Sequence, residues 1–385
     1  MPLLPLVASG INQVRVNRKE GNTKQEWSGF APGRVEWLGN HTDYNDGLVL
    51  GIGLDAGTTV RGCARPDKIL SMFAADLGCR YEAAFDNLEP VTSEPWANYV
   101  LGVAAGFIKR GAVPLGLDIE IRSNVPLGAG LSSSAALECS TSRMLQQAWG
   151  TDFDDLELAR IGQESEHLFA GVRCGLLDQI VSLFSRRHHA VFLDARSLEI
   201  QRVPVPDEAR FVIAQTGVKH ELSDGAYNAR RAECEEAAHV LGVGKLREAD
   251  MAMLERAATD GRLSGNPLKR ARHIVGENAR VEAAIAGLRR EDLAAVGLAM
   301  NESHESSRTL FENSCAELDA LAALARGLQG CFGARLTGGG FGGAVLALVR
   351  AGEDETFVRE LTKQSAPVLG HEPQVMVTEA GGSAI

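Results

Sequence analysis

Four stretches of the chain hold more polar and glycine chemistry than a fold requires. The first, Gly33-Arg34-Val35-Glu36-Trp37-Leu38-Gly39-Asn40-His41-Thr42-Asp43-Tyr44-Asn45-Asp46-Gly47, sets Asn40, His41, Thr42 and Asp43 side by side. Four consecutive donors and acceptors are the inventory that holds a small polyhydroxylated ligand. Asn45-Asp46-Gly47 also reads as a turn between extended segments, which accounts for some of this polarity without a ligand. The second stretch, Asn124 to Ala136, carries Gly128, Gly130 and Ser132-Ser133-Ser134 between a strand and a helix. Glycines let successive N–H groups converge on an anion, and a following helix start adds orphan donors and a positive dipole end. Its serines either cap that helix or place one hydroxyl on Mg²⁺ beside bound phosphates.

The third stretch runs from Gln163 to Gln179. On a helix Glu166 shares a face with Ala159, Gly162, Gln163, Phe169 and Ala170, a face small and apolar enough to pack inward. A carboxylate there needs a partner, either a magnesium ion or an ordinary Arg or Lys. Asp178 sits among Leu176, Leu177, Ile180 and Val181, so it is either paired or catalytic. His167 reads as a hydrogen-bonded packing residue. The fourth stretch, Leu336-Thr337-Gly338-Gly339-Gly340-Phe341-Gly342-Gly343-Ala344, matches G-x-G-x-x-G, but it lies between two strands late in the chain. That placement rejects a dinucleotide-binding turn and leaves a backbone passing close to another backbone or to a ligand. Neither G-x-x-x-x-G-K-[ST] nor H-R-D nor D-F-G occurs, which removes Walker-type nucleotide sites and protein kinases.

The elements that must position these stretches are mixed in order. Strands are expected at Leu48–Leu54, Thr58–Cys63, Leu117–Ile121, Ala190–Leu193, Phe211–Gln215, Ala334–Thr337 and Ala344–Val349. Helical spacing covers Trp96–Lys109, Ala135–Trp149 and Leu156–Ala170, and the chain is helix-rich from Asp224 to about Leu328. This order predicts α+β lobes rather than a regularly alternating doubly wound sheet. The lobe boundary is expected at 187/188, where Ser185-Arg186-Arg187-His188-His189 separates a helical stretch from a strand. That basic run reads as a solvated loop in preference to a phosphate contact.

With 39 Lys+Arg against 50 Asp+Glu the net charge is -11, which argues against a nucleic-acid binder. No apolar run approaches a bilayer's thickness, so no membrane partner is expected. Seven scattered cysteines without a C-x-x-C pair fit a reducing cytoplasm, and the Met1–Val7 start lacks the marks of a signal peptide. The sequon at Asn40 is then expected to stay unmodified. Glycine is abundant, at 42 of 385 residues, and marks sharp turns and close approaches.

In order, from about Ala31 to Val349, these stretches resemble the galactokinases of the GHMP small-molecule kinase superfamily. The resemblance is carried by Gly33-Arg34-Val35 with Gly39 and His41-Thr42-Asp43-Tyr44-Asn45, by Pro126 to Ala135, and by Leu336 to Gly343. Met300-Asn301-Glu302-Ser303-His304 followed by Ser314-Cys315-Ala316-Glu317-Leu318-Asp319 also resembles a galactokinase helix pair. It implies a two-lobed GHMP kinase fold, with a mixed-sheet lobe over 1–187 and a helix-rich lobe with antiparallel strands over 188–385. It also implies ATP-dependent phosphorylation of the anomeric hydroxyl of galactose, giving galactose 1-phosphate, in the cytoplasm and with no obligate protein partner. At matched positions it makes Asp178 the base, with Arg34 beside it. Ser134 and Glu166 would hold Mg²⁺, while Gly128, Gly130, Ser132 and Ser133 would line the phosphate cradle. Trp96, in Trp96-Ala97-Asn98-Tyr99, would flank the adenine, and His41, Asp43 and Tyr227 would contact sugar hydroxyls.

Three positions depart from that pattern. Asn40 stands where the family commonly has a glutamate near the sugar's C6 hydroxyl, Glu36-Trp37 replaces an Asn-aliphatic pair, and Lys219 replaces an arginine. Asn40 accepts a hydroxyl hydrogen bond without repelling an acidic C6 group, so tolerance of galacturonate is an expectation to test. Another sugar 1-kinase of the same superfamily, or a galactose sensor without catalysis, is the alternative reading. The joint presence of Arg34, Ser134, Glu166 and Asp178 weighs against a sensor.

Overall fold

Apolar residues at alternating positions make Glu26–Leu38 and Leu48–Ala64 into two long antiparallel strands, β1 and β2, with a single 3₁₀ turn at Asp43–Asn45 between them. The computed structural model describes residues 25–126, 130–172, 174–219, 223–382 and 384. Strand β2 is the axis of a seven-stranded mixed sheet. Its start pairs with β6 (His189–Asp194), its end with β5 (Leu117–Ser123), and β1 runs along it throughout. Strands β3 (Ile69–Ala74) and β4 (Cys79–Ala84) extend the sheet beyond β5, and β7 (Glu199–Pro204) extends it beyond β6. The one parallel pairing among the described strands is β3 with β5.

Two expected strands, Leu48–Leu54 and Thr58–Cys63, are therefore one. Asp55, which lies between the two expected runs, is exposed but bonded: its carboxylate accepts from the Thr378 hydroxyl and the Glu379 N–H. The expected boundary at 187/188 falls between α4 (Leu177–Phe184) and β6, and β6 and β7 then return to the first sheet, which continues to Pro204. Helices α1 (Ala97–Lys109), α2 (Ser133–Trp149), α3 (Asp155–Ser165) and α4 pack on that sheet around Val60, Ile119, Phe107, Leu145 and Ile180.

The second half is helix-rich around a four-stranded antiparallel sheet ordered β11-β8-β10-β9, from Val375–Thr378, Ala209–Lys219, Gly342–Arg350 and Cys331–Thr337. One face of that sheet, through Phe211, Ile213, Leu346 and Leu348, shares a core with Val35, Trp37 and Leu50 of the first sheet. Helices α7 (Gly265–Arg289) and α8 (Leu293–Ser306) close this shared core with Val281, Ile285, Val296 and Met300. The other face packs on α9 (Ala316–Gly327) and α10 (Asp354–Leu369), while α5 (Ser223–Leu241) and α6 (Met251–Thr259) build a separate cluster on α7. The architecture is α+β, as expected. Trp37 explains its own departure from an aliphatic residue: fully buried, it lies edge-on to Phe211 and its indole N–H meets the Met300 sulfur at 3.1 Å.

Helix α8 and strand β9 touch backbone to backbone. A Cβ on Gly297 would lie 2.0 Å from the Phe332 carbonyl oxygen, and one on Gly333 would lie 2.1 Å from that of Gly297. Neither neighbour is a side chain that can swing away, so Gly297→Ala is expected to cost about 1–3 kcal/mol. Urea unfolding checks this: the midpoint falls while the slope stays.

Candidate functional site

Two bulges in β1, between Pro32 and Arg34 and between Glu36 and Leu38, set how Arg34 and Glu36 leave the sheet. A Cβ on Gly33 would come within 2.8 Å of the Leu131 carbonyl, so only glycine lets β1 pass this close to the end of the glycine loop. Arg34 then bonds that loop twice, through its N–H to the Leu131 carbonyl at 3.0 Å and through Nη1 to the Gly130 carbonyl at 2.9 Å. The rest of its guanidinium grips Asp178, with Nε at 2.7 Å and Nη2 at 2.6 Å from Oδ1. Asp178 is the second residue of α4, at the end of the helix whose dipole favours a carboxylate. Its other oxygen, Oδ2, accepts from the Ser132 hydroxyl at 2.5 Å. Ser132 holds the left-handed backbone, φ 52°, immediately before α2.

A cavity of about 180 Å³ opens beside this triad, lined by Arg34, Glu36, Asn40, His41, Asp43, Asp178, Tyr227 and the backbone of Gly338 and Gly339 among others. The structure thus gathers Arg34, Asp178 and the four expected sugar contacts at one cavity. Their hydrogen bonding differs from the expectation. His41 spends both ring nitrogens within the protein: Nε2 donates to the Gly339 carbonyl at 3.0 Å, which leaves Nδ1 to accept from the Tyr44 hydroxyl at 2.9 Å. Burial holds this imidazole neutral, lowering its pKa to about 3. Asn40 is also bonded at both ends, with no hydrogen left to donate. Its Nδ2 donates to Glu36 Oε1 at 3.0 Å and to the Gly338 carbonyl at 2.7 Å, and its Oδ1 accepts from Asn313 at 2.8 Å. Asp43, by contrast, has no ion-pair partner among the described residues, and burial raises its pKa to about 6, with the nearby Glu36 adding to the effect. Burial also pushes the Tyr227 phenol up.

The reading that a carboxylate is missing from this wall is corrected by Glu36. It faces the same cavity, bonded to Asn40 and paired with the fully buried Arg335 at 3.3 Å. Burial raises the Glu36 pKa, opposed by Arg335 and by the Asn40 hydrogen bond. The late glycine motif makes the close approach expected of it. Asn313 anchors it, its carbonyl accepting from the Phe341 N–H at 2.7 Å, and a Cβ on Gly340 would lie 2.2 Å from that carbonyl oxygen.

Sequence reasoning missed the residues that hold the first motif in place. Helix α7 turns His273, Glu277 and Asn278 toward it: His273 bonds the Asn40 carbonyl at 3.1 Å, and Asn278 accepts from the Leu48 N–H at 2.8 Å. Glu277 accepts from the N–H groups of Gly39 and Asn40 at 3.1 and 3.3 Å, from the Ser303 hydroxyl at 2.6 Å and from Arg280 at 2.7 Å. Burial works against that carboxylate, but Arg280 and Arg335 hold it well below the usual range. The available signal was a polar i, i+4 pair, His273 and Glu277, on a helix face that also carries Ile274, Val281 and Ala284. Ser303 and His304, from the matched helix-pair segment, serve as supports, His304 Nδ1 accepting from the Leu336 N–H at 3.1 Å.

A second cavity, of about 260 Å³, is lined by Trp96, Tyr99, Ser133, Ser134, Leu137 and residues of β2, β3 and β5. Ser133 and Ser134 open α2 there, with the helix's unpaired N–H groups. The Trp96 indole N–H bonds Glu94 at 2.6 Å, leaving the ring as a cavity wall. Gly128 lies outside the described residues, and Gly130 meets Arg34 through its carbonyl. Glu166 begins a π turn, Glu166–Ala170, that ends the expected Leu156–Ala170 helix. Burial raises its pKa, offset by the Ser134 hydroxyl beside it, and no Lys or Arg among the described residues forms an ion pair with it. A buried carboxylate beside a serine hydroxyl fits a magnesium site completed by phosphate oxygens and water. His167 is exposed and bonds the Cys174 carbonyl at 2.9 Å. In the basic run Arg187 pairs with Glu379 and His188 with Asp207, so these contacts are those of a surface loop.

Comparison with known proteins places these features together. Family profiles match residues 98–186 as "GHMP kinases N terminal domain", 18–62 as "Galactokinase galactose-binding signature" and 284–366 as "GHMP kinases C terminal". The chain is 41% identical over 361 residues to a galactokinase of Chloroflexus aurantiacus, covering 91% of each protein. It is 42% identical over 347 residues to one of Homo sapiens, covering 88% of this chain and 87% of that one. Among solved structures, Lactococcus lactis galactokinase complexed with galactose superposes with a TM-score of 0.88 at 32% identity, over 95% of this chain and 96% of that one. Mevalonate kinase of Methanococcus jannaschii, at 16% identity and a TM-score of 0.65, shares the fold over 93% of this chain and 98% of that one.

Asp43 yields a pH prediction. Its folded pKa of about 6 exceeds the unfolded value, so the folded protein keeps a proton that the unfolded chain has released, and stability falls as pH rises from about 4 through 6. Asp43→Asn is expected to stabilise the protein by ~1–2 kcal/mol at pH 7 and to flatten that slope. Thermal unfolding across pH 4–8 reads both effects.

Proposed function

The chain belongs to the galactokinase family of the GHMP kinases, and on that premise we propose that it transfers the γ-phosphoryl group of ATP to the anomeric hydroxyl of galactose through Asp178 and Arg34. The observation that carries this assignment is the Ser132–Asp178 bond of 2.5 Å. Asp178 lines the smaller cavity, and Ser132 directly precedes the serines that line the other. A carboxylate at that junction stands where an acceptor hydroxyl meets a donor phosphate.

In this reading the sugar hydroxyl replaces Ser132 on Asp178 Oδ2, and its proton passes toward that oxygen as the phosphoryl group arrives. Arg34 keeps Oδ1 fixed and balances the incoming charge. Asp43 and Tyr227 offer the cavity an unpaired carboxylate and a phenol for other hydroxyls. Trp96 walls the adenine site, while Ser133 and the first N–H groups of α2 meet the phosphates. Ser134 and Glu166 would hold Mg²⁺, which supplies neutralisation of phosphate charge when bound. Catalysis then rests on positioning and electrostatics. No helix among the described residues is long and apolar enough to cross a membrane, and all seven cysteines are free, which supports a reducing, cytoplasmic setting.

ATP consumption by the purified protein with Mg²⁺ tests the proposal against galactose, glucose, N-acetylgalactosamine and galacturonate. Turnover is expected on galactose, and Asp178→Asn is expected to lower kcat by about 100- to 10,000-fold. Glu166→Gln is expected to raise the Mg²⁺ concentration needed for half-maximal rate. Binding of galactose without turnover of any sugar would move the protein to the sensor class.

A further inference from the structure

The wall of the smaller cavity formed by Glu36, Asn40 and Gly338 contains two polar side chains, and only one of them has an oxygen that no donor reaches. Asn40 uses both Nδ2 hydrogens on Glu36 and Gly338, and its Oδ1 takes a hydrogen from Asn313. It is 1% exposed. Glu36 takes all its hydrogen bonds on one oxygen: Asn40 Nδ2 at 3.0 Å, Arg335 Nη1 at 3.3 Å and Arg335 Nη2 at 3.4 Å all converge on Oε1. Among the described residues no donor reaches Oε2, and Oε2 is not among the sealed, unbonded polar atoms of the interior. The carboxylate lines the cavity, so the oxygen left without any donor belongs to Glu36.

We propose that Glu36, rather than Asn40, is the specificity-determining residue of this wall, its Oε2 accepting a hydrogen bond from a sugar hydroxyl remote from the anomeric carbon. This rests on the sugar-kinase reading above and adds to it a named residue and a selection rule. Arg335, fully buried and also bonded to the Trp37 carbonyl at 2.9 Å, fixes Oε1 and so the orientation of the free oxygen. Asn40 is a positioning residue that braces the carboxylate from the other side. A carboxylate with one free oxygen admits a neutral hydroxyl, which donates to it, and disfavours a sugar carboxylate, which cannot. A uronic acid is therefore a poor substrate of this chain.

The test is kcat/KM on galactose, on each singly deoxygenated galactose and on galacturonate, for the wild type, Glu36→Gln and Glu36→Asp. Glu36→Gln is expected to lose about 10- to 100-fold on galactose, mainly through KM. It should lose nothing further on the single deoxy analogue that lacks the contacted hydroxyl, and it should narrow the galactose-to-galacturonate ratio at least 10-fold. Glu36→Asp, which keeps the charge at shorter reach, should weaken galactose but keep galacturonate excluded. Equal losses on every analogue, or no loss on any, overturn the proposal, because a carboxylate that only supports Arg335 cannot single out one hydroxyl. If Glu36→Gln does not fold, the Glu36→Asp panel decides by the same pattern. A wild type inactive on galactose would instead sink the galactokinase reading, and the panel is then built on whichever hexose it phosphorylates.

Discussion

A single buried carboxylate, Glu277, ties the two halves of the molecule at the place where they must agree. It gathers two backbone N–H groups from the turn after β1, a hydroxyl from α8 and a guanidinium from its own helix, with no exposure to solvent. Removing any one donor leaves a fully buried charge less well satisfied, with no solvent to replace the lost bond. That constraint fixes the Gly39–Asn40 turn against α7. From there Asn40 reaches Gly338 and Asn313, and His41 reaches Gly339, so the late glycine motif and the first polar stretch become one surface.

Backbone strain collects along that surface. His41, Ser132, Glu312 and Phe341 hold left-handed φ values without being glycines, and both π turns, Glu166–Ala170 and Ser307–Phe311, lie beside it. Such conformations persist where the surroundings over-determine them. His41 is held by two hydrogen bonds and by packing against Phe311 and Tyr227. Rigidity of this kind suits a reaction governed by placement.

Strands β5, β6, β8, β9 and β10 and helices α1 to α3 were legible because their periodicities are strong, while β3, β4, β7 and β11 were not read; the four polar stretches stood out because glycine and clustered donors have few other uses. What stayed hidden were partnerships between distant positions. Glu36 and Asn40 read as two separate departures from a pattern, one of them a lost charge. In the folded chain the two side chains share a hydrogen bond, and the charge stands four residues earlier on the same wall. His273 and Glu277 were invisible for a related reason: a polar pair on a helix announces a buried partner without naming it. The continuity of β2 was hidden because the residues that satisfy Asp55 lie more than three hundred positions away.

Those same residues bear on how the protein is made. After β11 the chain crosses back to the first sheet, where the Ala380 carbonyl accepts from the His188 N–H at 2.6 Å and the Gly381 N–H donates to the Gly53 carbonyl at 3.1 Å. The first sheet thus borrows backbone partners from the segment that follows β11. With synthesis running from the N-terminus, those partners are made long after β1, β2 and β6 have emerged from the ribosome. The first half can collapse during translation, but its full set of bonds closes only once the segment that follows β11 has arrived, so that segment sets when the first sheet becomes fully paired.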